Sequence, residues 1–81
     1  MELPLGVLAL GEHAYISRVD GRTDMNCRLA ELGFLPGTRV YCELISPAGD
    51  PAAYRVRGAL IALRRRDADT VWVTGRGEER T

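Results

Sequence analysis

Turn-forming residues punctuate this chain so often that regular segments are held to about eight residues. Asp20-Gly21, Gly33, Pro36-Gly37, Pro47-x-Gly49-Asp50-Pro51 and Gly58 divide its 81 residues into short apolar runs. Glycine admits backbone angles closed to other residues, and proline fixes φ and removes a donor, so both interrupt helices and strands. No run approaches the ~20 apolar residues of a membrane-spanning helix. Size scaling gives roughly 8,000 Å² buried on folding, about 63% of what the unfolded chain exposes. That suffices for one domain with one small core, and not for an enclosed reaction chamber.

Between these breaks the periodicity is mainly that of strands. Residues 3–10 (LPLGVLAL) read as an extended or loosely turned lead-in. Glu12 to Val19 alternates, with Ala14 and Ile16 on one face and His13, Tyr15 and Ser17 on the other. Asp24 is placed to cap a helix of about two turns, with Met25, Leu29 and Leu32 in one stripe, Arg28 and Glu31 beside it, and Gly33 as its stop. Thr38 to Ile45 is a strand expected to turn Val40, Cys42 and Leu44 one way and Tyr41, Glu43 and Ile45 the other. Tyr54–Arg57 and Ala59–Leu63 are short strands bent at Gly58, Arg64–Ala68 allows a single helical turn, and Val71–Val73 is the last strand. The expected fold class is mainly β: a small barrel of about five strands with one short inserted α-helix, since closure removes exposed sheet edges. One domain is expected over residues 1–75, followed by a polar, frayed tail at 76–81.

Charge and cysteine usage narrow the function. Eleven arginines, no lysine and eleven acidic residues give zero net charge. That argues against nucleic acid as a partner, since such binding draws its affinity from phosphate neutralisation. It also argues against direct anchoring to acidic lipid. Cys27 and Cys42 form no CxxC pair and are too few for a disulfide framework. Met1-Glu2-Leu3-Pro4 does not resemble a secretory signal, so a cytoplasmic location with free thiols is expected.

Chemistry-bearing residues are sparse. With one histidine, no lysine-bearing phosphate loop and no acid pair placed for acid–base work, the chain is not expected to be an enzyme, and no catalytic residue or cofactor is assigned. His13, Cys27 and Cys42 match no metal-ligand spacing, and no metal site is assigned. The Pro47, Gly49, Asp50 and Pro51 loop is stiff at both ends, which suits either recognition or a plain connection. Phe34 is expected to pack on the helix end, leaving Leu35 and Pro36 as an outward contact. Arg28 faces either a partner or the neighbouring acids Asp24 and Glu31. Arg64-Arg65-Arg66 is the densest charge cluster, a solvated turn or a contact for an acidic partner, with Arg64 the candidate. Trp72 is expected to point out of the barrel.

The ordered set Arg28-Leu29, Leu32-Gly33, Phe34-Leu35, Pro36-Gly37, Pro47-x-Gly49-Asp50-Pro51, Gly58, Leu63-Arg64, Ala68 and Val71-x-Val73 resembles the FeoA family, small cytosolic proteins of bacterial ferrous-iron transport. The likeness covers about residues 3–74. Position 48 is alanine where the family more often has leucine. The resemblance implies an SH3-like barrel with an inserted helix and an accessory or regulatory role beside the membrane GTPase iron(II) permease. It places the chain at the membrane only through that partner. An alternative it also implies is a metal-responsive regulator, since the same barrel resembles the adaptor domain of iron-dependent repressors.

Overall fold

The short alternating runs become strands of one sheet. The computed structural model of the chain describes residues 1–20 and 24–78. In chain order it contains β1 (Leu3–Pro4), a 3-10 turn (Leu5–Val7), β2 (Glu12–Val19), α1 (Asp24–Glu31), β3 (Arg39–Ile45), β4 (Ala52–Val56), β5 (Ala59–Leu63), α2 (Arg65–Ala68) and β6 (Val71–Glu78). All strand pairs are antiparallel, in the order β1-β6-β2-β3-β4-β5. The sheet curls around one core of Ala14, Ile16, Val40, Cys42, Tyr54, Val56, Leu63, Val71 and Val73, closed by Leu5, Leu8, Leu29, Phe34 and Ala68. Among the described residues no polar or charged residue is buried.

The mainly β expectation holds, with six strands where about five are expected. The sixth is β1, a two-residue strand that sets Leu3 opposite Val73 and Pro4 opposite Trp72. β6 also runs on past Gly75, where the sequence suggests fraying, and sets Gly77 opposite His13 and Glu78 opposite Glu12. Glycine is what this stretch requires. A Cβ at Gly75 would lie 3.2 Å from Tyr15 Cδ2, and one at Gly77 would lie 3.2 Å from His13 Cε1. The two rings therefore rest on a backbone without side chains. Residues 79–81 of the expected tail lie outside the described residues, as do residues 21–23 of the expected turn before α1.

The end of α1 corrects one core assignment. The N–H of Gly33 bonds to the carbonyl of Ala30 (3.0 Å) and that of Phe34 to the carbonyl of Leu29 (3.0 Å). Gly33 sits at φ +111°. This is a Schellman ending, in which the residue after the glycine packs back on the last turn. Leu29 and Phe34 are accordingly buried together. Leu32, expected in the stripe, falls after the last helical residue and is 41% exposed. Of the same stripe, the Met25 side chain is outside the described ones.

β3 corrects another. Its pairing with β4 skips from Cys42↔Tyr54 to Leu44↔Ala53. A bulge of this kind places two successive residues on one face. Glu43 and Leu44 both turn outward, and Leu44 is 55% exposed where strict alternation would bury it. Ile45 returns to the row of Ala52 and Leu63. Gly58 does more than bend a strand. Arg57 (φ +50°) and Gly58 (φ +82°) make a two-residue reversal between Val56 and Ala59, as a hairpin turn of type I′ requires.

Candidate functional site

The outward residues of adjacent strands line up across the sheet. His13 lies opposite Tyr41, and Tyr15 opposite Arg39. Tyr41 lies in turn opposite Arg55. The His13 and Tyr15 rings meet edge to face at 5.9 Å. Arg55 grips Glu43 with two bonds, Nε to Oε1 at 2.6 Å and Nη2 to Oε2 at 2.7 Å. The Arg55 hydrogen bonds hold the Glu43 carboxyl below its ordinary range, and Glu43 raises the guanidinium in return. Arg39, Tyr41, Glu43, Arg55 and Arg57 together line an open groove of about 390 Å³. Its lining is polar with one aromatic ring, Tyr41, and the Arg55 guanidinium is taken up by Glu43. The sequence signal was the alternation Arg39-x-Tyr41-x-Glu43 set against Arg55-x-Arg57, which neither strand shows as a motif alone.

The sequence-derived candidates separate into two groups at opposite ends of β3, about 20 Å apart by strand rise. At the end near Arg39 lie Leu35 and Pro36, in the turn that joins α1, which carries Arg28, to β3. Arg28 is exposed and pairs with neither Asp24 nor Glu31 among the described residues. Leu35 is 42% exposed while Phe34 is buried, as expected of the turn. The Arg57 stem lies over Gly33, where a Cβ would come within 2.9 Å of its Cδ.

At the other end, Pro47, Gly49, Asp50 and Pro51 form the β3–β4 loop. It is closed by Gly49 N–H to Ser46 O (2.7 Å) and Ser46 N–H to Pro51 O (3.1 Å), and its Asp50–Pro51 peptide is cis. Asp50 ties this loop to another element of the fold. Its Oδ1 accepts from the backbone N–H of Arg65 at 2.9 Å, fastening the loop to the start of α2. Arg64 and Arg66 flank the same carboxylate in a polar recess, whereas Arg65 turns back to Asp69 at 3.0 Å.

Other candidates are accounted for locally. Trp72 points outward, but the Arg18 guanidinium covers its ring at 4.9 Å and Asp20 accepts its N–H at 2.6 Å. Cys42 is buried, and burial pushes its thiol up, away from the reactive thiolate. Cys27 is exposed on α1. Among the described residues no three His, Cys, Asp or Glu side chains converge as metal ligands. No helix among them is long and apolar enough to cross a membrane.

Residues 3–75 match the FeoA domain family. A Porphyromonas gingivalis protein described as a fusion of Fe(2+) transport protein A with the Fe(2+) transporter FeoB is 36% identical over 69 residues, 85% of this chain. The chain spans only 8% of that fusion protein's length. Among solved structures, the zinc complex of Stenotrophomonas maltophilia FeoA, described as an SH3-domain protein, superposes with a TM-score of 0.85 at 28% identity, covering 94% of this chain and 96% of that one. The T. acidophilum IdeR protein superposes with a TM-score of 0.78 at 27% identity, covering 90% of this chain and 33% of that one.

Proposed function

The chain belongs to the FeoA family, and from that membership we propose that it is a cytoplasmic accessory module of ferrous-iron uptake that docks on the membrane GTPase iron(II) permease. The family is one of small SH3-like accessory domains in iron transport and is not an enzyme family. The observation that carries the docking reading is the fusion relative, in which a domain like this one is joined to FeoB in a single chain. Fusion keeps two domains at high effective concentration. A separate chain has to recognise the same neighbour through its surface. With net charge zero, that recognition rests on shape and a few local contacts. The contact residues proposed are Arg28 on α1, Leu35 and Pro36 at one end of β3, and Pro47, Gly49, Asp50, Pro51 and Arg64 at the other.

Co-expression with the permease and capture from membranes in mild detergent tests this. Co-purification is expected, together with reduced iron(II) uptake in a strain lacking the chain. Failure to co-purify, combined with normal uptake in the deletion strain, overturns the docking reading.

The superposition on IdeR favours a second reading, a metal-responsive adaptor. It calls for calorimetric binding of iron(II) or zinc that is lost on changing His13 or Cys27. Titrations of both metals without heat dismiss it.

A further inference from the structure

The two edges of the sheet are built differently. β1, at one edge, has two residues, one of them Pro4. Shortness and proline are ways in which native sheets blunt an edge against further pairing. β5, at the other edge, has five residues, Ala-Leu-Ile-Ala-Leu, with no charge, proline or bulge. Among the described residues it pairs only with β4. We propose that this edge is a strand-addition site, and that its occupant is an extended peptide segment with alternating apolar residues bounded by acidic ones.

The backbone fixes which groups are offered. Val56 and Ala59 close a two-residue hairpin, so they form a hydrogen-bonded pair, and alternation makes Ile61 and Leu63 the next residues bonded to β4. The N–H and C=O groups of Leu60 and Ala62 therefore point away from the sheet. They supply the four backbone bonds of an added antiparallel strand. Leu60 is 45% exposed on the outer face, in register with Arg55, and Ala62 is in register with Ala53 and, through it, Leu44. An incoming strand meets an apolar strip along its middle.

Charge chooses the occupant. The strip ends at Arg57 on the hairpin side and at Arg64 and Arg66, which outnumber the Asp50 they flank, on the α2 side; Arg55 on the neighbouring strand is already held by Glu43. A second copy, paired antiparallel about Ile61 so that Leu60 faces Ala62, would bring Gly58 opposite Arg64 and so set Arg57 beside Arg64 of the other copy at both ends. Like charges across strands oppose pairing. An acidic-ended segment turns the same arginines into attraction, and main-chain bonds with alternate side-chain contacts are how such segments are held. The edge also joins the two groups of candidate contacts, since β5 runs from the Arg57 turn beside Gly33 to the Asp50 recess. The inference deepens the docking reading by describing what the partner would present.

Amide hydrogen exchange of the ¹⁵N-labelled full chain tests it. The probe is a synthetic peptide of alternating valine and threonine with two acidic residues at each end. The control is the same peptide with lysines in their place. The acidic peptide should slow exchange at Leu60 and Ala62 by about tenfold or more, with little change at Ala59, Ile61 and Leu63, whose amides already bond to β4. Ala62→Pro, which removes an edge donor and no ladder bond, should abolish the effect while the thermal melt is retained. Arg57→Glu with Arg64→Glu should weaken binding by about tenfold and leave every backbone bond in place. Unchanged exchange at Leu60 and Ala62, equal binding of the lysine peptide, or undiminished binding by both variants overturns the proposal. So does concentration-dependent protection of these amides without peptide, which identifies a second copy as the occupant. Peptide binding without permease capture would refute the permease as partner and leave the edge site standing.

Discussion

Replacing Leu29 with alanine should cost several times more than the same change at Leu32, although both leucines fall on the expected helical stripe. Leu29 is completely buried beneath the Schellman ending, against Phe34. A leucine in that position loses its transfer free energy and leaves a cavity, together about 2–5 kcal/mol. Leu32 keeps 41% of its surface in water. Only the remaining contact is lost there, about 1 kcal/mol, since full burial of such a side chain contributes roughly 1.5–3 kcal/mol. Against a total stability of about 4–12 kcal/mol for a domain of this size, the difference is large. With a urea slope near 1 kcal/mol/M, Leu29→Ala should lower the midpoint by about 2–5 M and Leu32→Ala by about 1 M. Equal midpoint shifts, or a larger one at Leu32, would refute the assignment of Leu29 to the core and Leu32 to the surface.

Three further outcomes follow from single contacts. Asp50→Ala removes the acceptor of the Arg65 N–H and should cost about 0.5–2 kcal/mol; faster amide exchange at Arg65, with the Ser46–Pro51 closure intact, reads it out. Gly33→Ala should cost roughly 1–2 kcal/mol, because φ +111° strains any side chain and the new Cβ meets Arg57 Cδ at 2.9 Å; adding Arg57→Ala should recover part of the melting temperature and not all of it. Burial pushes the Tyr54 phenol up to about 12. Its folded value thus lies above that of the unfolded chain, near 10, so the contribution is complete below pH ~10 and is lost as pH rises through 12, by about 3 kcal/mol. Urea midpoints measured across that range should fall in the native sequence, and the part due to this group should vanish in Tyr54→Phe.

The core was largely legible because burial follows a period of two wherever a strand is regular. Ala14 and Ile16, Val40 and Cys42, and the buried Phe34 beside the exposed Leu35 all fall where local pattern places them. Leu44 escapes that logic, since a bulge inserts one residue against the partner strand and nothing within 38–45 records it. The Arg57-Gly58 reversal is hidden for a related reason. Arginine at the first turn position lacks the asparagine, aspartate or glycine signal that such turns usually carry. Gly75 and Gly77 look like a frayed polar end until Tyr15 and His13, some sixty residues earlier, are seen resting on them. The candidate site was legible only in its parts. Single residues such as Leu35 and Asp50 could be singled out, but not that they sit at opposite ends of β3. The Arg39–Arg57 groove exists only once β3 and β4 are in register.

Docking on the permease is tested most directly by residue-resolved crosslinking of the co-expressed complex, with a photoreactive group placed in turn at Leu35, Leu60, Arg64 and, as a control outside the proposed contacts, Leu10, which is 62% exposed. Docking through the proposed contacts and the β5 edge predicts crosslinks to the permease from the first three positions and none from Leu10. Uniform crosslinking from all four, or none from any under conditions where iron(II) uptake proceeds, would contradict it.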